Sequence, residues 1–176
     1  MDFYTVFTYS TIPFMLLALM CAWKYEGARY FLTLLLGLEI VDVAMYKVSF
    51  NWTTHLYLYN MFMCALFLVP IIYRHRIAYN LYKLTRQLFF LRVYRNHHFA
   101  VQEIGMMSIF AIDFVLNLFI YIEVWLYKFY VIDDWLMSAA VRNYIVISLQ
   151  ILMYCALLTY VFRTPQREAF YGNETN

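Results

Sequence analysis

Four carboxylic acids stand where a carboxylate is most costly. Glu39, Asp42, Asp113 and Glu123 each interrupt a long apolar run, in company with the amides Asn117 and Gln150 and one cation, Arg142. A charge at the centre of a membrane helix costs about 2.5–3.5 kcal/mol even on the mild insertion scale, so each of these groups needs a partner or water. If they connect, they form a polar pathway able to handle protons or cations, with Glu39, Asp113 and Arg142 as the groups to test. If they satisfy one another, they form a buried hydrogen-bonded network that locks helices together or docks a basic residue of a partner subunit. The residue types alone do not choose between the two.

Helical spacing groups these side chains. Glu39, Asp42 and Tyr46 share one face at intervals of three and four, and Asp113, Asn117 and Tyr121 share another. At a rise of about 1.5 Å per residue, Asp42 and Arg142 lie roughly 10–12 Å below the outer ends of their helices. Glu39 and Asn117 come out near ~15–17 Å, and Asp113 and Gln150 near ~21–22 Å. Three helices can therefore face one another with matched polar layers, and Arg142 is placed to answer Asp42 or Glu123. Lys47, close to an outer end, can snorkel to the headgroups. The charges do not balance: four acids face two bases, one of which can escape. At least one carboxyl is left to carry a proton, meet a charge supplied from elsewhere, or sit in water.

The elements that must hold these groups follow from composition. Of 176 residues, 65% are hydrophobic and 14% charged, with a mean hydropathy of +0.61. Soluble domains run near ~45–50% apolar and ~25% charged, so a soluble enzyme, a nucleic-acid binder and a disordered chain are excluded. The fold class expected is an all-α integral membrane protein, a bundle of about five transmembrane helices plus one basic amphipathic interfacial helix. The spans fall at 3–23, 30–50, 56–73, 100–127 and 135–162, forming one membrane domain (1–162) with a frayed polar tail over 163–176. No cleavable leader is expected, since Asp2 and Phe3 offer no positive start and no small-residue cleavage site follows. An N-out, C-in orientation places ten of the thirteen basic residues inside, and Trp23, Trp52, Trp125 and Trp135 at span ends. A bacterial inner membrane is the setting this suggests.

Segment 74–98 is basic without acids, and Leu81, Leu84, Leu88 and Leu91 recur at helical intervals, as in a helix lying on a membrane. Arg74, Arg76, Lys83, Arg86, Arg92 and Arg95 are its candidate contacts to anionic headgroups or to a soluble cytoplasmic partner. Lys83, Arg86, Arg92 and Arg95 also fall on a three-residue grid, with Phe89 in the gap and His98 next. That spacing resembles the charged helix of voltage-sensor domains, although the third span carries no acid and no pore-filter sequence follows. His97, His98 and Glu103 lack a further ligand at metal spacing, so no metal or other cofactor is expected. Cys21, Cys64 and Cys155 suggest free buried thiols. Neither GxGD nor GxSG occurs, which removes the usual signatures of intramembrane proteases.

The function expected is therefore that of a non-enzymatic, homo-oligomeric inner-membrane protein. It would serve as the anchor or sensor subunit of a larger assembly, such as one in bacterial stress or defence, with no direct nucleic-acid binding. The alternative is a small proton or cation channel built on the acidic network, with the voltage-sensor-like helix as a minor variant.

Overall fold

The structure is a computed structural model describing residues 3–49, 52, 55–95, 100–134 and 139–174. Those residues form helices α1 (Phe3–Cys21), α2 (Glu26–Ser49), α3 (Leu56–Thr85), α4 (Leu88–Arg95), α5 (Val101–Lys128) and α6 (Ala139–Glu174), with no strand among them. Helices are the form in which an apolar chain satisfies every backbone group internally. Three are long and apolar enough to cross a membrane: α3, α5 and the Val141–Gln166 stretch of α6. The Ser10–Cys21 part of α1 is apolar but shorter, and α2 is interrupted by Glu39, Asp42 and Lys47. Large apolar side chains such as Met20, Phe62, Val115 and Phe162 point outward from these helices, as side chains facing lipid would.

The long helices close a ring. α1 packs on α2, α2 on α3, α3 on α5, α5 on α6, and α6 returns to α1. Chain direction alternates, so the turn between α1 and α2 lies at the same end as the C-terminal part of α3, the start of α5 and the C-terminal part of α6. That half of the ring is filled by apolar side chains. Met15, Leu32, Ile71, Met106, Leu157 and Tyr160 come from all five helices and are each at most 1% exposed. Phe31 of α2 meets Tyr160 of α6 across the middle, with ring centroids 5.3 Å apart.

The basic segment departs from expectation. α3 does not stop near Tyr73 but runs on to Thr85, because no glycine or proline follows Pro70 to end it. It ends at Arg86, whose φ of 53° is left-handed and whose N–H donates to the Tyr82 carbonyl at 2.8 Å. The leucine stripe is thereby split. Leu81 turns inward, whereas Leu84 and Leu88 stand exposed at the turn. The short helix α4 folds back on α2 and α3, placing Phe89, Phe90 and Val93 against Tyr30, Leu34 and Ala78. Arg29 lies over the Phe89 ring at 4.6 Å, and Arg92 pairs with Glu26 at 2.8 Å.

Two expectations are corrected here. Arg74 is not a surface contact: its side chain is buried and ion-paired with Glu103 of α5. The grid Lys83–Arg86–Arg92–Arg95 is not one charged helix, since the left-handed break at Arg86 divides it between α3 and α4. Arg76, Lys83, Arg86, Arg92 and Arg95 remain exposed at this end. Over its described residues the C-terminal tail is helical: α6 continues through Pro165 to Glu174, with the Thr164 hydroxyl donating back to the Tyr160 carbonyl at 2.7 Å.

Candidate functional site: an acid-lined cavity inside the helix ring

In the other half the ring does not fill. A cavity of about 530 Å³ remains, within the range of roughly 300–1,000 Å³ that small-molecule sites occupy. Every long helix lines it: Thr11 from α1, Glu39 and Asp42 from α2, Asn60 and Cys64 from α3, Asp113 and Asn117 from α5, and Arg142, Asn143 and Gln150 from α6. Its floor is apolar. Phe67 of α3 and Phe110 of α5 stack with centroids 4.9 Å apart and planes 8° from parallel, flanked by Met63 and Met153. Below them lies the filled half of the ring, so the cavity is a polar chamber closed at one end.

The three acids share one electrostatic field, with Asp42 within reach of both Glu39 and Asp113. Each is held differently. Asp42 Oδ1 accepts from the Tyr59 hydroxyl at 2.8 Å. Asp113 Oδ2 accepts from the Cys64 thiol at 3.1 Å, and its Oδ1 accepts from the Asn117 amide at 3.2 Å. Glu39 is buried one turn before Asp42 and faces the Thr11 hydroxyl. Arg142, the only base among the described lining residues, acts on Asp113 and lies over the Tyr57 ring at 5.0 Å. Among the described residues, three acids against one base leave the lining with an acidic surplus of two.

No known protein family, curated protein or solved structure matches this chain. What the site can do therefore rests on its own residues.

Of the residues singled out in the sequence, Glu39, Asp42, Asp113, Asn117, Arg142 and Gln150 all line this one cavity. Glu123 does not. It is buried on α5 outside the lining, and the field of Arg142 reaches Asp113. The side chains of Tyr46 and Lys47, and residues His97, His98 and Trp135, lie outside the described residues. Among the described residues no group of three or more His, Cys, Asp or Glu could hold a metal ion. Cys64 is the buried thiol expected, whereas Cys21 and Cys155 are exposed.

Hydropathy missed the α3 wall. Tyr59, Asn60 and Cys64 are too weakly polar to interrupt an apolar run, yet Asn60, Cys64 and Phe67 recur at intervals of four and three and line one face. It also missed Tyr154, a hub on α6. Its hydroxyl lies 2.9 Å from Thr11 Oγ1, 3.2 Å from Ser10 Oγ and 3.2 Å from Gln150 Nε2, tying α6 to α1. Gln150 also donates to Thr11 at 3.0 Å. Interhelical hydrogen bonds in bilayers average about 0.6 kcal/mol, with a maximum near 1.7. Tyr154→Phe removes one hydroxyl from several contacts and is expected to cost about 1–2 kcal/mol. Reversible unfolding in mixed micelles would measure it, and an unchanged midpoint would mean that the hub carries no stability.

Proposed function

We propose that this protein is a non-enzymatic membrane sensor that receives a cation in the acid-lined chamber and presents its basic end to anionic lipid or a soluble partner. α1, α2, α3, α5 and α6 all span the bilayer in this proposal. Even α1, with 19 residues, rises about 28 Å, close to the ~30 Å hydrocarbon core. The chain sits N-out and C-in in a bacterial cytoplasmic membrane and works as a homo-oligomer. Half-buried Arg29 and exposed Arg76, Lys83, Arg86, Arg92 and Arg95 gather at the end to be placed inside, whereas Lys128 stands with Asp133 and Asp134 at the other.

The observation that carries this proposal is the division of the ring into a polar chamber and an apolar plug. A conductor needs a continuous wet path, and ions do not cross tightly packed Met15, Ile71, Met106 and Leu157. A receptor needs only a chamber reached from one side. The acid surplus alone also fits a small proton or cation channel, which is the second reading.

Proteoliposomes separate the two. The sensor is expected to leave proton and potassium leakage at the level of empty vesicles. Reversal of Arg86, Arg92 and Arg95 to Glu is expected to lower affinity for vesicles containing anionic lipid, or for a captured soluble companion, about tenfold or more, since each basic residue contributes roughly 1 kcal/mol at such a surface. Flux that Asp113→Asn abolishes in an intact oligomer would overturn the sensor and establish the channel.

A further inference from the structure

We propose that the chamber binds an organic ammonium ion with N–H donors and an apolar body, a primary amine on an alkyl or aryl chain. This rests on the cation-receiving role above and specifies its ligand.

Three features of the chamber lead to that class. The first is an unmatched acceptor. Asn117 is 3% exposed and lines the cavity, with its amide nitrogen committed to Asp113, yet its Oδ1 meets no donor among the described residues. A buried amide oxygen is seldom left without a donor, and Asn117 stands on the wall of the cavity, where a small rotation of its side chain brings Oδ1 to a donor held there. The neighbouring acceptors point the same way. Asp42 has one oxygen bonded to Tyr59, and Glu39 stands one turn away. A ligand bringing both positive charge and N–H groups answers all three, as an ammonium does with its three donors.

The second feature is size and ligand geometry. About 530 Å³ is far more than a bare inorganic ion fills, and the acids do not converge into a metal-binding group among the described residues. The third is the floor. Phe67 and Phe110 present a stacked aromatic pair, with Met63 and Met153 beside it, below the layer of acids. An apolar tail lying on that floor puts its ammonium at the height of Asp42, Asp113 and Asn117. Methionine and aromatic rings adapt to tails of different shape, whereas the donors demanded at the top are specific. The chamber is thus selective for the head and tolerant of the tail.

The test uses the full-length protein in mild detergent, with 4-phenylbutylamine, its N,N,N-trimethylammonium analogue, 4-phenylbutanol and sodium chloride as probes, read by calorimetric titration and by the ligand-dependent rise in melting temperature. The amine is expected to bind saturably, the trimethylammonium analogue at least tenfold more weakly because it carries no N–H, and the alcohol and sodium not measurably. Asp42→Asn keeps an acceptor for Tyr59 and is expected to weaken amine binding at least tenfold; Asn117→Leu is expected to do the same, and to narrow the gap between the amine and its trimethyl analogue. If the alcohol binds as well as the amine, or Asp42→Asn binds it unchanged, the proposal is overturned. Binding of sodium without binding of the amine would also overturn it, while leaving a cation-receiving sensor in place. Binding of none of the probes overturns it as well, and flux through the reconstituted protein would fail the sensor instead.

Discussion

Replacing Glu103 by leucine is expected to destabilise the folded protein by about 3–5 kcal/mol, the usual cost of breaking a buried ion pair from one side. Glu103 is 0% exposed, and its partner Arg74 is 8% exposed. One carboxylate oxygen meets the Arg74 guanidinium, and the other accepts the Ala100 N–H at 3.0 Å, capping the start of α5. The substitution removes the cap, worth about 1 kcal/mol. It also takes from the Arg74 guanidinium the carboxylate it meets in the apolar half of the ring, and arginine cannot relieve that burial by losing its proton. The pair joins α3 to α5, so the damage falls where the ring must hold together around its plug. The double variant Arg74→Leu/Glu103→Leu is expected to recover most of the loss, because two apolar side chains suit that site once neither charge is left alone. A double-mutant cycle on reversible unfolding in mixed micelles should therefore return a coupling of at least about 2 kcal/mol. A loss below about 1 kcal/mol for Glu103→Leu would mean that water or lipid headgroups reach Arg74, and that the inner half is less dry than its packing implies.

That pair also marks a limit of what the sequence disclosed. Hydropathy ended the third span near Tyr73, which made Arg74 the first residue of a basic surface segment. In the structure the helix simply continues, and the same arginine turns inward to an acid 29 residues away. Nothing local to Arg74 records that partner. Long-range pairing of this kind depends on which helices are neighbours, and hydrophobic periodicity carries only the orientation of each helix about its own axis. The short helix α4 is a similar case. Its apolar face was legible, but whether that face lies on lipid or on Tyr30 and Ala78 was not, since both surfaces are equally greasy.

The chamber was legible to a greater degree, for a simple reason. A helix has a fixed rise, so depth along each span could be counted, and the count placed acids and amides of α2, α5 and α6 at compatible heights. Those residues do line one cavity. What depth could not supply was azimuth between helices. Arg142 was set against Asp42 or Glu123 by height, and its field also reaches Asp113. Gln150 was matched with Asp113, yet it bonds to Thr11 on a helix that held no charge to flag it. The void itself was invisible too, because a chamber arises from what five helices fail to fill together.

Replacing Arg142 by methionine is expected to tighten the binding of 4-phenylbutylamine by roughly ten- to a hundredfold. Arg142 is the only base among the described residues lining the chamber, and an ammonium ion must enter against it. Two unit charges about 6 Å apart in an effective dielectric near 20 repel by roughly 3 kcal/mol. That corresponds to about two powers of ten in affinity, and water admitted with the ligand reduces it toward one. Against this gain stands the structural cost of losing the guanidinium from the Tyr57 ring and its field from Asp113. Methionine keeps much of that contact, since an unbranched thioether also lies favourably against an aromatic ring. The cost is further offset because the buried Arg142 Nε has no hydrogen-bond partner among the described residues, and its desolvation disappears with it. Unfolding stability without ligand should therefore change by no more than about 1 kcal/mol, while affinity moves by more than that. Neutral 4-phenylbutanol should respond to the substitution much less than the amine does. The affinity ratio between variant and wild type should also survive a rise in salt, because charges inside a chamber are screened far less than charges at a surface. An unchanged or weakened amine affinity in a stably folded Arg142→Met protein would place the ammonium outside the field of Arg142, and so outside the layer formed by Asp42, Asp113 and Asn117.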